Sequence, residues 1–289
     1  MALFYLEQAL NGLQFGVLLF LMAAGLTLVF GIMNLINLAH GSLYMLGAYV
    51  AATVLTQTGS MLLALLAATV ATAACGWMLE VVLFGRLYRR DHLDQVLCTF
   101  GVILFLNELV RIVWGPVALP MDLPAALAGS VRLVGDFTYP TFRLVIIAVG
   151  LVVAAMMFVL ITRTRLGMRI RAGAADRAMV AALGVDIRSL YSYVFALGAA
   201  LAGLAGYMAG PILAVQVGMG DSVLVLALVV IVIGGIGSVR GALVSALLVG
   251  LVDTFGRVLL PAALADMGIY AVMALVLFVR PDGLFAARG

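Results

Sequence analysis

Residues Asn34 to Tyr49 read NLINLAHGSLYMLGAY. Two asparagines, a serine and one of the chain's two histidines stand here between strongly apolar runs. An unpaired polar group costs roughly several kcal/mol in hydrocarbon. These side chains must therefore face protein or water, and their meaning depends on what kind of protein surrounds them.

The surroundings are decisive. Of 289 residues, 66% are hydrophobic and only 10% charged, with a mean hydropathy of +1.26. A soluble domain carries roughly 25% charged residues, so this chain has too little polar surface to coat a globule. Apolar segments recur at 9–30, 42–57, 61–84, 95–113, 142–162, 189–210, 222–239, 241–260 and 268–279. Most approach the ~20 residues that a bilayer-spanning helix needs. The runs are continuous rather than alternating, which excludes a membrane β-barrel. The expected fold is all-α: one polytopic membrane domain over residues 1–289, with eight to ten membrane helices, some broken or re-entrant.

The N-terminus, MALFYLEQALNGLQ, lacks the basic start of a cleavable signal. The following apolar run is read as the first spanning helix. Cys75 and Cys98 fall in or beside apolar segments and read as packing residues rather than a disulfide.

All sixteen basic residues are arginine, and their placement predicts orientation. Arg86, Arg89, Arg90, Arg163, Arg165, Arg169, Arg171, Arg177, Arg188, Arg240, Arg280 and Arg288 fall on one side of the predicted topology. Only Arg111, Arg132, Arg143 and Arg257 fall on the other. The rule puts the larger set in the cytoplasm, with the N-terminus outside and the C-terminus inside. No basic stripe interleaved with aromatics exists for nucleic acid.

Three groups of residues are candidates for function. The first is the polar insert, Asn34, Asn37, His40, Gly41 and Ser42. Asn34, Asn37 and His40 are spaced by three, so on a helix they share a face, with Gly41 as the expected breaking point. They either cap a broken helix or line a translocation pathway. Gly234, Gly235 and Gly237, in the run IGGIGS, suggest a second break or sharp turn inside the membrane. The two breaks echo each other faintly: FGIMNLINLAHGSLYMLGAY and IVIGGIGSVRGALVSALLVG, as in transporters built from two interrupted halves. GAALAGLAGYMAG, with glycines at 198, 203, 206 and 210, predicts close helix packing. No carboxylate cluster accompanies His40 or His92, so no metal site is expected.

The second group is the acids Glu80, Glu108 and Asp253, each inside or at the edge of an apolar segment. Glu108 has Arg111 three residues on, and Asp253 has Arg257 four residues on, so both can pair locally. Glu80 lies near a basic loop and reads as interfacial. None is placed as a proton relay requires. The third group is the loop 163–188, RTRLGMRIRAGAADRAMVAALGVDIR, with six arginines. Its alanines favour a short helix and Gly184 a stop, suiting either an interfacial anchor or a docking surface. The chain contains no G-x-x-x-x-G-K-[ST] sequence, so any ATP hydrolysis belongs to another subunit. No nucleophile set is assembled either, and the chain is not expected to be an enzyme.

GLTLVFGIMNLINLAHGSLYMLGAY, TRLGMRIRAGAADRAMVAALGVDIRSLYSYVFALGAALAGLAG, GGIGSVRGALVSALLVGLVDT and the tail VLFVRPDGLF together resemble the permeases of bacterial branched-chain amino acid ABC importers. The match is to the smaller of the two paired permeases and covers nearly the whole chain in order. The resemblance implies an inner-membrane permease importing branched-chain or other hydrophobic amino acids. It implies a homologous second permease, two cytosolic ATPase subunits that bind ATP and Mg, and a periplasmic amino-acid-binding protein docking near Trp114–Pro140 and Ile212–Ser222. It also makes Arg169, Arg171, Ala174, Ala175, Asp176, Ala181 and Gly184 the ATPase-coupling segment, whose alanine pair and closing glycine loosely resemble the family's EAA-type loop, with Asp176 rather than glutamate as the nearby acid. Similar permeases serve urea and short amides. A proton-coupled carrier working alone and a passive channel are the alternatives from other classes.

Overall fold

The computed structural model describes residues 1–35, 37–88, 90–134 and 137–285. Among them are eleven α-helices and one small hairpin. Helix α1 (Ala2–Met33) is 32 residues long, about 48 Å at 1.5 Å per residue. It is apolar on every side, and a helix of that kind belongs inside a bundle. Residues Val17 to Ala24 are all buried. Glycines bring its neighbours close: a Cβ on Gly16 would stand 2.7 Å from the Ala246 carbonyl oxygen.

α1 ends at Asn34, which takes the left-handed conformation with φ 51°. The chain then doubles back, and α2 (His40–Thr58) starts beside α1, about a quarter of that helix's length back from its end. The His40 Nε2 atom is 2.9 Å from where a Cβ on Gly25 would lie, and Gly25 is about 12 Å back from the end of α1. α3 (Met61–Val82) returns across the bundle. A 3₁₀ turn, Phe84–Arg86, leads to α4 (His92–Trp114). A hairpin of β1 (Ser130–Val134) and β2 (Phe137–Pro140) precedes α5 (Thr141–Arg163). Two short helices follow, α6 (Arg165–Ala175) and α7 (Arg177–Ala182). The remaining elements are α8 (Ile187–Ala209), α9 (Met219–Gly234), α10 (Val239–Leu259) and α11 (Ala262–Val279).

Six stretches are long and apolar enough to cross a membrane: Leu3–Met33, Met61–Arg86, His92–Trp114, Thr141–Arg163, Ile187–Ala209 and Val239–Leu259. With α2, α9 and α11 they correspond one for one to the nine apolar segments of the sequence. Cys75 and Cys98 are free thiols.

The bundle is built from two inverted units, α1–α4 and α8–α11. Tyr191 donates to the Ile32 carbonyl and Gly198 meets Gly25, so α1 and α8 run antiparallel. α1 packs on α10 as α8 packs on α3, and α2 on α9. Two contacts are reciprocal. A Cβ on Gly25 would meet the Gly198 oxygen at 2.5 Å, and one on Gly198 the Gly25 oxygen at 2.9 Å. Gly41 and Gly220, each the second residue of its helix, obstruct each other in the same way.

This corrects the repeat expected from sequence. The break after α1 corresponds to residues 210–218 after α8, not to the run at Gly234–Gly237. That run is a tight turn at one end of the bundle, with Gly235 and Gly237 at φ 95° and 79°. It lies against Gly31 and the C-terminal tail, where Leu284 donates to the Ile233 carbonyl. The same face holds α6 and α7 and is called the arginine-rich face below. The opposite face holds the hairpin, the 115–129 loop and the start of α1, where Tyr139 donates to Asn11.

Candidate functional sites

The half-helix crossing lies at the centre of the bundle. Gly198 is eleven residues into α8, about 16 Å along a helix about 34 Å long. Gly41 follows His40 at that depth, and Gly220 touches Gly41. Thus α2 and α9 both begin near mid-depth and leave towards opposite faces.

The polar insert differs from the helical face predicted for it. Asn34 and Asn37 lie in the break 34–39 and not on a helix, because α1 already ends at Met33. Gly41 is not the breaking point; it sits inside α2, where it makes room for α9. Asn34 is exposed, while Asn37, His40 and Ser42 are buried. Asn37 Nδ2 and Oδ1, His40 Nε2 and Ser42 Oγ have no hydrogen-bond partner among the described residues. The imidazole is wedged between α1 and α2, not open to a passage. Gly234 and Gly235 are buried and Gly237 exposed in the turn to α10.

Sequence reasoning missed Asp221. Reading Ile212–Ser222 as an outer loop concealed it. Instead, Met219 to Ser222 form the first turn of α9, one step from the Gly41–Gly220 contact. Asp221 and Ser222 are exposed there. A signal was available in the sequence: an acid at the start of an apolar run is a favoured helix N-terminal residue.

Of the three acids singled out from sequence, two pair as their spacing predicts. Arg111 binds Glu108 at 3.3 Å, with both side chains more than half exposed. Arg257 binds Asp253 at 2.9 Å and Asp266 of α11 at 3.0 Å. Glu80 is different: it lies near the end of α3, close to the arginine-rich face as its place by the basic loop suggests, but inside the protein. It is 1% exposed, accepting hydrogen bonds from Tyr88 at 3.1 Å and from Ser192 of α8. Tyr88 also stacks edge-on against Tyr191 with ring centres 5.0 Å apart. Among the described residues its hydrogen-bond partners are these two hydroxyls, which tie the ends of α3 and α8 and the turn before α4.

The arginine-rich segment is two helices, not one. Asp176 breaks them and caps α7, accepting from the Ala178 and Met179 N–H groups at 2.9 Å. Gly184 supplies the stop at φ 85°. Arg169, Arg171, Ala174, Ala175, Asp176, Ala181 and Gly184 are all exposed. Gly167, Ile170, Gly173 and Val180 form the buried underside. Gly173 seats on Leu190 of α8 and Ile32 of α1, 3.5 and 3.9 Å from where its Cβ would lie. Arg171 donates to the Ile161 carbonyl at the end of α5. Exposed Met168, Met179 and Leu183 add an apolar element to this cationic surface. Among the described residues, no group of three His, Cys, Asp or Glu side chains could hold a metal.

Comparison with known proteins finds relatives over nearly the whole chain. The profile of the family described as "Branched-chain amino acid transport system / permease component" matches residues 8–277. The high-affinity branched-chain amino acid transport system permease protein BraD of Pseudomonas aeruginosa is 32% identical, with 97% of this chain and 95% of BraD aligned. The corresponding LivH of Escherichia coli K12 is 30% identical over 98% of this chain and 96% of its own. A probable LivH from Methanocaldococcus jannaschii is 24% identical over 82% and 76%. No solved structure matches the chain.

Proposed function

Because the chain belongs to the permease-component family of branched-chain amino acid transport systems, we propose that it is the membrane permease of an ATP-driven importer of branched-chain or other hydrophobic amino acids. It works with a second, homologous permease, two cytosolic ATPase subunits that bind ATP and Mg, and a periplasmic amino-acid-binding protein. The arginine-rich face lies in the cytoplasm and the hairpin face in the periplasm, which places the N-terminus outside and the C-terminus inside a bacterial inner membrane.

One observation carries this reading: the exposed α6–α7 turn is seated through Gly173 on the ends of both α1 and α8. Those are the two central helices of the inverted units, and each leads into a half-helix. Displacing α6 moves α1 and α8 together, and with them the crossing of α2 and α9. ATP drives transport in this scheme because nucleotide state shifts the relative stability of inward- and outward-facing arrangements. The ATPase surface that fits α6–α7 is apolar at its centre, for Met179 and Leu183, and acidic at its rim, for the arginines.

Purification from native membranes tests the assembly. ATPase subunits should accompany the wild-type chain, and their absence overturns the proposal. Ala175→Glu and Gly184→Arg should abolish ATP-dependent uptake while leaving membrane insertion intact. Uptake that persists with either variant removes α6–α7 from the coupling.

A further inference from the structure

Asp221 is an exposed carboxylate at mid-depth in an otherwise apolar bundle. Three facts locate it. Gly220 touches Gly41 at the level where Gly25 meets Gly198, roughly halfway along α8. Asp221 is the next residue and its side chain is exposed, as is that of Ser222. The three salt bridges among the described residues use Glu108, Asp253 and Asp266, leaving Asp221 without a cationic partner.

Hydrocarbon is a poor environment for such a group, and intramembrane acids characteristically face a water-filled cavity or pathway. Glu108 and Asp253 have arginines within one turn to offset their charge; Asp221 has only the N-terminal end of α9. The same place in the other unit is uncharged and enclosed: Ser42, one residue after Gly41, is buried. The two half-helices therefore meet as near-equals in backbone and as unequals in charge. Only the α9 side presents an anion to the outside of the bundle.

We propose that Asp221 faces the translocation pathway and receives the α-ammonium group of the permeating amino acid at mid-membrane. The Ser222 hydroxyl beside it supplies a second polar contact. The proposal rests on the importer reading for its substrate. A zwitterion crossing hydrocarbon loses water from both charged ends, and a fixed carboxylate offsets the loss at the ammonium end. One carboxylate with no neighbouring acid binds weakly enough to release again, as conduction requires.

The test uses the whole complex in proteoliposomes with radiolabelled leucine. Asp221→Asn should lower ATP-dependent uptake at least about tenfold, whereas Asp221→Glu should keep most of it. ATPase stimulation by the loaded binding protein should survive in both. In a Cys75→Ala, Cys98→Ala background, Asp221→Cys should react with a charged, water-soluble thiol reagent in the assembled complex. Uptake by Asp221→Asn within about twofold of wild type overturns the proposal. So does labelling by lipid-soluble reagents alone, which places the residue against lipid. Loss of the second permease from the Asp221→Asn complex overturns it as well, assigning Asp221 to an ion pair between subunits. If the wild-type complex takes up no leucine, the importer reading fails instead, and thiol labelling still reports whether position 221 is wet.

Discussion

The carbonyl oxygen of Gly41 occupies the space that a Cβ on Gly220 would require, and the Gly220 oxygen lies 2.8 Å from the corresponding position on Gly41. The two half-helices cross backbone to backbone. Gly220→Ala and Gly41→Ala should each cost about 1–3 kcal/mol from overpacking, read as a lower melting temperature in detergent. Gly220→Val should prevent accumulation of folded protein. Wild-type melting of the alanine variants would mean that the helices stand further apart.

His40 is enclosed between helices. Its ring fills the space beside Gly25, 1% exposed. His40→Ala should cost about 1–3 kcal/mol in stability while leaving uptake per assembled complex unchanged. Lost uptake in a fully assembled complex would instead put the imidazole in the pathway.

Glu80 joins Tyr88 and Ser192 across three elements. Glu80→Ala leaves the Tyr88 hydroxyl only the Met33 sulfur and the Ser192 hydroxyl only the Arg188 carbonyl, with an expected cost of about 1–3 kcal/mol. Glu80→Gln retains an acceptor oxygen and should lose less. Equal melting temperatures for the two variants would show that the hydrogen bonds are not what stabilises this junction.

At α7, Leu183 is 76% exposed and Met179 59%. Leu183→Asp should leave thermal unfolding unchanged but reduce the ATPase that co-purifies. Retention of the full amount would place the ATPase contact elsewhere on the arginine-rich face.

Asp186 caps α8 by accepting from the Ser189 hydroxyl and from the Ser189 and Arg188 N–H groups. The Ser189 hydroxyl and N–H hold its carboxyl below the usual aspartate range. A depressed value stabilises the cap at neutral pH, and the contribution fades as pH falls below about 4 through the lowered value. Protection factors of the first-turn amides of α8, taken relative to the intrinsic exchange rate at each pH, should therefore fall on acidification. Asp186→Ala should show low protection there at every pH; protection that does not change with pH in the wild type would show that the cap does not stabilise this turn.

The number and rough limits of the long apolar helices were legible from hydropathy, because lipid imposes a length and a composition on each segment separately. The Glu108–Arg111 and Asp253–Arg257 pairs followed from helical spacing, and the glycines of α8 from the need for close approach. What the sequence alone determined was thus local: which segments are helical, which arginines cluster, and which family pattern they follow. It did not determine which break matches which, since the inverted repeat survives in packing rather than in residue identity. Glu80 and Asp221 show the reason most clearly. Glu80 is buried because Tyr88 and Ser192, 8 and 112 residues away, close over it. Asp221 lies at mid-depth because Gly41, 180 positions earlier, sets where α9 begins. Depth and exposure belong to contacts between distant segments, and only the tertiary structure brings those segments together.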